Sequence, residues 1–390
     1  MKKVKDGVYN VGVSDRGIDL FEGMYRVPNG ISYNSYVIID EKTAVLDTVD
    51  KNFTDEWLCN IERALVGKSP DYLIVLHMEP DHSANIFNFV KKYPNVRVVG
   101  NVKTFSMMYA YFGAELDGMT RDSRIVVEDG GKLSLGKHEL TFVFAPMVHW
   151  PEVMVAYDSF DKTLYSADAF GKFGAADDSE PWADEARRYY IGIVGKFGVQ
   201  VRSLLKKAAA LDIETICPLH GPVLDGDLSE YLDLYDKWSS YTPESDGVLI
   251  AYTSVYGNTK RAAELLAERL RLLGAEVVLR DLARDDRAQC VAEAFKYSKL
   301  VLATTTYNGD IFPPMREFID CIAERNYKER TVALIENGSW ASTAARVMTA
   351  RLEKCKDLKF TERSVAIRGA VTPAVEEELS ELAKELCSEN

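Results

Sequence analysis

Residues 77–85, HMEPDHSAN, place His77, Glu79, Asp81 and His82 within six positions, directly behind the apolar run YLIVL. Imidazole and carboxylate groups are the donors that first-row transition metals take. In an extended loop His77, Glu79 and Asp81 project the same way, and His82 swings in at the following turn. A polar loop capping a helix near Ser83 also accounts for Asp81 and Ser83, though not for two histidines, so on this segment alone both readings stand. The histidine distribution extends the pattern. Of five histidines, His77, His82, His149 in APMVHWPE and His220 in CPLHGP stand at or just after predicted strand ends, and only His138 lies elsewhere. Asp168 in LYSADAFG follows a strand in the same way. Four imidazoles and three carboxylates from four segments are enough to hold two metal ions with one carboxylate between them.

A second constellation follows the strand VLIAY: Thr253, Ser254, Val255, Tyr256, Gly257, Asn258 and Thr259, then at once a helix. Hydroxyls, one glycine and fresh helix N–H donors form a phosphate cradle. One glycine does not bring backbone close to a pyrophosphate and no Walker lysine follows, so a monophosphate suits the loop, with a plain Ser/Thr helix cap as the alternative. Two further loops fall at strand ends. Thr305, Thr306, Tyr307, Asn308, Gly309 and Asp310 include groups suited to the polar edge of an isoalloxazine. Asn337, Gly338, Ser339, Trp340 and Ala341 offer an indole as a stacking face.

The elements that must position these loops change rhythm along the chain. Strand patterns at 8–13, 35–40, 43–49, 72–76, 96–100, 124–128, 139–144 and 153–158 are joined by helical patterns near 52–66, after Asp81 and at about 185–210. They predict an α/β sandwich with sheets inside and helices outside. SSYTPESDG, residues 239–247, breaks this pattern and sets an expected domain boundary at 245/246. Beyond it, strands at 248–252, 276–280, 299–304, 331–335 and 364–367 alternate with helices at about 259–273, 287–296, 314–325, 342–354 and 374–387. Five βα units make a doubly wound parallel sheet with its ligand at the carboxyl ends of the strands.

Length and composition agree with two domains: 390 residues, 47% apolar and 27% charged. The net charge of -13 disfavours nucleic acid and anionic membrane as partners, and it divides into about -11 for residues 1–245 and -2 for 246–390. No apolar run reaches the ~20 residues of a membrane span, and no signal-peptide pattern follows the N-terminal lysines, so a cytoplasmic chain is expected. The six cysteines form no CxxC pair, which argues against a disulfide framework, a thiolate zinc site and an appended rubredoxin-type iron site. Buried free thiols are the expected role for most of them.

The order His77-x-Glu79-x-Asp81-His82, His149, Asp168, His220 resembles the metallo-β-lactamase-like domain of the flavodiiron proteins, or A-type flavoproteins. The three later loops resemble the flavin-binding loops of flavodoxins, and the fusion in this order covers essentially the whole chain. The fold implied is an N-terminal metallo-β-lactamase-like αββα sandwich, residues 1–245, and a C-terminal flavodoxin-like doubly wound parallel sheet, residues 246–390. The resemblance assigns His77, Glu79 and His149 to one iron and Asp81, His82 and His220 to the other, with Asp168 bridging. Glu79 stands where the zinc hydrolases of the superfamily typically carry histidine, and an anionic oxygen favours iron over zinc. The implied cofactors are FMN and two non-heme irons. The implied activity is reduction of dioxygen to water, nitric oxide to nitrous oxide, or both, protecting an anaerobic-type metabolism. Electrons would come from an external donor, rubredoxin or alternatively a reduced deazaflavin cofactor. The implied assembly is a head-to-tail homodimer, or a dimer of such dimers. Glu152, Tyr189 and Tyr190 are candidate proton carriers, each with an alternative as surface carboxylate or packing aromatic. The competing functions are a zinc hydrolase with a flavodoxin-like module and a non-enzymatic flavin carrier or sensor.

Overall fold

The computed structural model describes residues 1–176 and 180–388, and the chain divides into two compact units, Met1–Asp236 and Lys237–Asn390. The division falls inside helix Ser229–Ser240, ahead of the expected 245/246. Tyr241, just past that helix, packs within the second unit: its ring lies 6.4 Å from Phe295, and its carbonyl accepts from the buried Arg330 guanidinium at 2.7 Å.

The first unit is an αββα sandwich. One sheet runs β1 (Lys2–Lys5), β2 (Val8–Asn10), β3 (Tyr36–Ile39), β4 (Thr43–Leu46), β5 (Tyr72–Ile74), β6 (Arg97–Gly100) and β7 (Ile125–Val126), in that order across the sheet. It is antiparallel as far as β4 and parallel from β4 to β7. The other sheet runs β8 (Lys132–Ser134), β9 (Glu139–Phe144), β10 (Met154–Asp158), β11 (Thr163–Tyr165), β12 (Thr215–Cys217) and β13 (Leu224–Asp225), antiparallel except for the β11/β12 pair. Every residue of β4, β10, β11 and β12 is buried, so these strands read as apolar runs rather than as alternations.

The expected helix at about 185–210 is broken. Helix Trp182–Tyr189 passes into a wider π-helical turn, Tyr190–Val194, and a tighter 3-10 turn, Gly195–Phe197, before helix Gly198–Ala208 resumes. The change falls where a distant residue packs in: the Tyr25 hydroxyl donates to the Gly192 carbonyl at 2.9 Å, and a Cβ on Gly192 would sit 2.8 Å from the Tyr25 ring. Helix Val102–Thr120 has no counterpart in the sequence reading, because Gly113, at φ +68°, interrupts its helical backbone and its periodicity.

The second unit carries β14 (Ser245–Tyr252), β15 (Val277–Asp281), β16 (Tyr297–Tyr307), β17 (Thr331–Asn337), β18 (Lys359–Phe360) and β19 (Val365–Ile367). The order is β15-β14-β16-β17, with β18 and β19 both on the outer edge of β17, and every one of these pairings is parallel. This is the doubly wound order whose direction reverses between β14 and β16, where such sheets bind ligands. Each of the five helices expected in this unit appears. Only Cys217 and Cys290 are fully buried; Cys59 is exposed and the other three are half-buried, so the expectation of buried thiols holds for a minority. Among the described residues, no helix is long and apolar enough to cross a membrane.

Candidate dinuclear metal centre and flavin loops

All seven predicted ligand residues converge. They come from the loops after β5, β9, β11 and β12, all at one edge of the sandwich. His77, Glu79, His149 and Asp168 form one set of donor atoms lying within 4.8 Å of one another, and Asp81, His82 and His220 form a second. The four imidazoles all present Nε2. Asp168 Oδ2 is 3.1 Å from His149 Nε2 and 3.5 Å from His77 Nε2, whereas Oδ1 is 3.3 Å from His82 Nε2 and 3.9 Å from His220 Nε2. Glu79 Oε2 closes the first set at 2.9 Å from His149 and 3.2 Å from His77. Asp81 Oδ2 closes the second at 3.3 Å from His82 and 3.4 Å from His220.

One detail differs from the extended-loop expectation. Pro80–Ser83 is a helical turn started by Pro80, so Asp81 leaves the side that Glu79 takes and joins His82. The loop thereby divides its four donors between the two sets.

The donor chemistry fits metal ions. Asp168 is fully buried, and neither its oxygens nor those of Asp81 accept a hydrogen bond of good geometry, a costly state unless a cation takes them. Burial alone would raise the Asp168 carboxyl, yet the surrounding imidazoles, His77 foremost, hold it well below the carboxylate range. Burial would lower His149, but Asp168 and Glu79 bring it up to about 9. Glu22, at the mouth of the site, is pushed up to about 7 by burial and by Glu79. Aromatic rings exclude water around the second set: Phe21, Tyr33 and Tyr189 pack on His220 with centroids at 5.4, 5.9 and 5.4 Å. The Tyr189 hydroxyl is buried without a hydrogen-bond partner, and the charges acting on it are those of Asp168, Glu79 and Asp81.

Non-glycine residues in the left-handed region gather around the site: Met147 (φ +65°), Ala167 (+51°) and Phe170 (+66°) in the donor-bearing loops, Asp47 (+55°) directly after β4, and Glu22 (+49°) in the turn between Leu20–Phe21 and Tyr25–Arg26. Asp47 shows what this achieves, since its Oδ1 accepts the N–H groups of Leu76 at 2.8 Å and His77 at 3.2 Å and so fixes the start of the ligand loop. Sequence reasoning did not single out Asp47, nor Glu152 as the partner of His77 Nδ1 at 2.8 Å. The available signal was an acid directly after the apolar run TAVL and an acid three residues after His149.

In the second unit the three predicted loops follow β14, β16 and β17 at their carboxyl ends. Thr253 is a strut, its Oγ1 2.6 Å from Thr304 Oγ1. Gly257, at φ +91°, donates its N–H to Ser254 Oγ at 3.0 Å and opens helix Asn258–Leu272 with nothing within 4 Å of a Cβ, the open cradle that a phosphate needs. Tyr307 to Asp310 form a tight turn through Asn308 (φ +52°) and Gly309 (+73°). The Asp310 carboxylate is engaged by Arg316 at 3.0 Å and by its neighbour's N–H, so the turn presents backbone rather than that acid. Asn337 is buried and clamps a fourth loop, which the sequence reading left out, accepting Gly369 N–H at 3.1 Å and donating to the Gly369 carbonyl at 3.2 Å. Tyr256 and Trp340, 92% and 82% exposed, flank the loops as bare aromatic faces. A cavity of about 930 Å³ elsewhere in the first unit, lined by Leu164, Val199, Arg202, Ile216 and Leu232, contains none of the seven donors.

The anionic oxygen of Glu79 suits iron better than zinc, and a hydroxyl-bearing loop that opens one helix suits the single phosphate of FMN. A chain carrying both is an oxidoreductase dependent on FMN and a non-heme diiron centre. Residues 31–221 match the model of the ODP family beta lactamase, and residues 249–371 match a flavodoxin domain. A nitric oxide reductase of Moorella thermoacetica is 29% identical over 90% of each chain. The solved structure of rubredoxin oxygen:oxidoreductase from Desulfovibrio gigas is 26% identical, with a TM-score of 0.89 over 99% of this chain and 97% of that one. The flavodiiron protein from Giardia intestinalis is 27% identical, with a TM-score of 0.87 over 99% and 96%. The chain belongs to the flavodiiron proteins.

Proposed function

We propose that the protein reduces nitric oxide to nitrous oxide, dioxygen to water, or both, at a diiron centre held by His77, Glu79 and His149 on one side and Asp81, His82 and His220 on the other. The observation that carries this reading is Asp168, which turns one oxygen to each donor set. The names of the Moorella and Desulfovibrio relatives support the two gases as substrates, and the latter supports rubredoxin as the external donor, with reduced deazaflavin the alternative. In this reading FMN lies on the loops Thr253–Thr259, Thr305–Asp310 and Asn337–Ala341, and a head-to-tail homodimer brings the flavin of one subunit to the iron site of its partner.

Bound at these positions, FMN and the iron pair would supply the electrons that a diatomic substrate takes up. The chain's own groups do the rest. Glu79, Asp81 and Asp168 supply the negative charge that favours the oxidised metal. Phe21, Tyr33 and Tyr189 keep bulk water from the second donor set. The Tyr189 phenol, which burial and then the Asp168, Glu79 and Asp81 charges keep protonated, holds a proton facing the site.

Metal and flavin content of protein purified anaerobically tests the reading first. About two irons and about one FMN per chain are expected, with reoxidation of the reduced protein by nitric oxide, dioxygen or both. Zinc in place of iron, or reoxidation by neither gas, would sink it.

A further inference from the structure

We propose that Glu152 makes the two iron positions electronically unequal, holding the one on the His77 side at the lower reduction potential. The inference rests on the diiron reading above. All four imidazoles turn Nε2 inward, so they differ in what Nδ1 meets. His77 Nδ1 donates to Glu152 Oε1 at 2.8 Å, and both side chains are fully buried. His220 Nδ1 donates to the neutral Ser32 carbonyl at 2.7 Å. His82 Nδ1 is buried and has no hydrogen-bond partner among the described residues.

Glu152 is fixed from two sides. Its Oε1 also accepts the Met78 N–H at 2.8 Å, and its carbonyl accepts from Asn101 Nδ2 at 2.6 Å, while Oε2 is buried and takes no hydrogen bond. An anionic acceptor draws the Nδ1 proton toward itself and leaves Nε2 the richer donor. In a dry interior no solvent screens that effect. The inner ligands otherwise balance, with Glu79 on one side, Asp81 on the other and one oxygen of Asp168 for each. Glu152 is the carboxylate that reaches an iron position through a ligand's outer nitrogen, and it does so on the His77 side. Each iron exchanges one electron between its ferric and ferrous states, so the His82/His220 side is reduced first and the His77 side gives up its electron first. Glu152 is a positioning and tuning residue, since it acts through His77.

The test is a redox titration, followed by electron paramagnetic resonance, of the full chain loaded with iron and FMN. Wild-type protein with fewer than about two irons would count against the diiron reading itself, whereas the potentials judge the inference alone. Two separate iron midpoints are expected in the wild type, and a single shared midpoint would overturn the proposal before any variant is made. In Glu152→Gln, which keeps the shape and removes the charge, one midpoint is expected to rise by about 59 mV for each tenfold loss of preference for the ferric state, and the other to stay. Glu152→Asp, which keeps the charge but withdraws it from Nδ1, is expected to move the same midpoint by less and covers the case in which the glutamine variant takes up no iron. Midpoints that do not move, or that rise together, overturn the proposal.

Discussion

Asp168 reaches His82 Nε2 with Oδ1 at 3.3 Å and leaves Oδ2 for the imidazoles of the other set. One buried carboxylate therefore serves both halves of the site. Asp168→Asn keeps the side-chain shape but halves the anionic oxygens on offer. Iron affinity is expected to fall by more than the roughly 10–100-fold that loss of an outer partner typically costs. Iron per chain, by elemental analysis, should drop while FMN per chain is unchanged. Full iron occupancy would remove the bridging role.

Tyr189 buries a hydroxyl that finds no protein partner beside the ligand cluster. Leaving such a group unsatisfied costs stability, so Tyr189→Phe is expected to hold or raise the melting temperature. Turnover with nitric oxide or dioxygen is expected to fall by about tenfold or more, with iron content intact. Wild-type turnover in a fully loaded variant would make the phenol a packing group.

Asn337 exchanges two hydrogen bonds with Gly369 and a third with Thr259 at 3.3 Å, tying three flavin-side loops together. Asn337→Leu forfeits all three and leaves the Gly369 N–H and carbonyl without that partner, at a cost of about 1–3 kcal/mol per stranded group. Flavin affinity, read by fluorescence recovery on release of FMN, is expected to weaken by about tenfold, with the iron site unaffected. Unchanged affinity would show that the loops hold their places without this clamp.

His138 is the histidine outside the cluster, and its Nδ1 lies 2.6 Å from Asp158 Oδ2. Burial would lower its pKa, but Asp158, then Asp161 and Asp40, raise it above the ordinary value. A histidine with a raised folded-state pKa contributes stability that is fully present below about 6.5 and is lost as pH rises through the folded value. The difference in urea midpoint between wild type and His138→Gln is thus expected to be largest at mildly acid pH and to shrink in alkaline solution. A difference that is flat with pH would mean the pair acts only through packing.

Much of this was legible in the chain, for physical reasons that vary by region. In the second unit, strands and helices alternate with clean punctuation, and the 287–296 helix appears at the residues where its periodicity places it. The seven converging donor residues were visible because histidine is scarce here and each lies behind an apolar strand. Periodicity failed where backbone geometry depends on a distant partner. Around Gly192 the helix changes its winding where the Tyr25 ring packs in from far up the chain, and Gly113 hides a helix by interrupting it. The partners of the ligands were harder still: nothing in the local sequence tells Glu152 that its neighbour in space is His77. The Arg316 partner of the Asp310 carboxylate was equally hidden, since it comes from the helix that follows the turn.

The left-handed residues Met147, Ala167 and Phe170 lie in loops that carry the donors, and Asp47 braces another of them. Each costs of order 1–3 kcal/mol that the surrounding packing must offset. The packing that offsets this cost also fixes where each donor stands, so the loops work as a mould for whatever ions they hold. Which metal settles there is then left to the donor atoms and to what the cell supplies. Exchanging one side chain such as Glu79 alters the donor set while leaving the mould as it is.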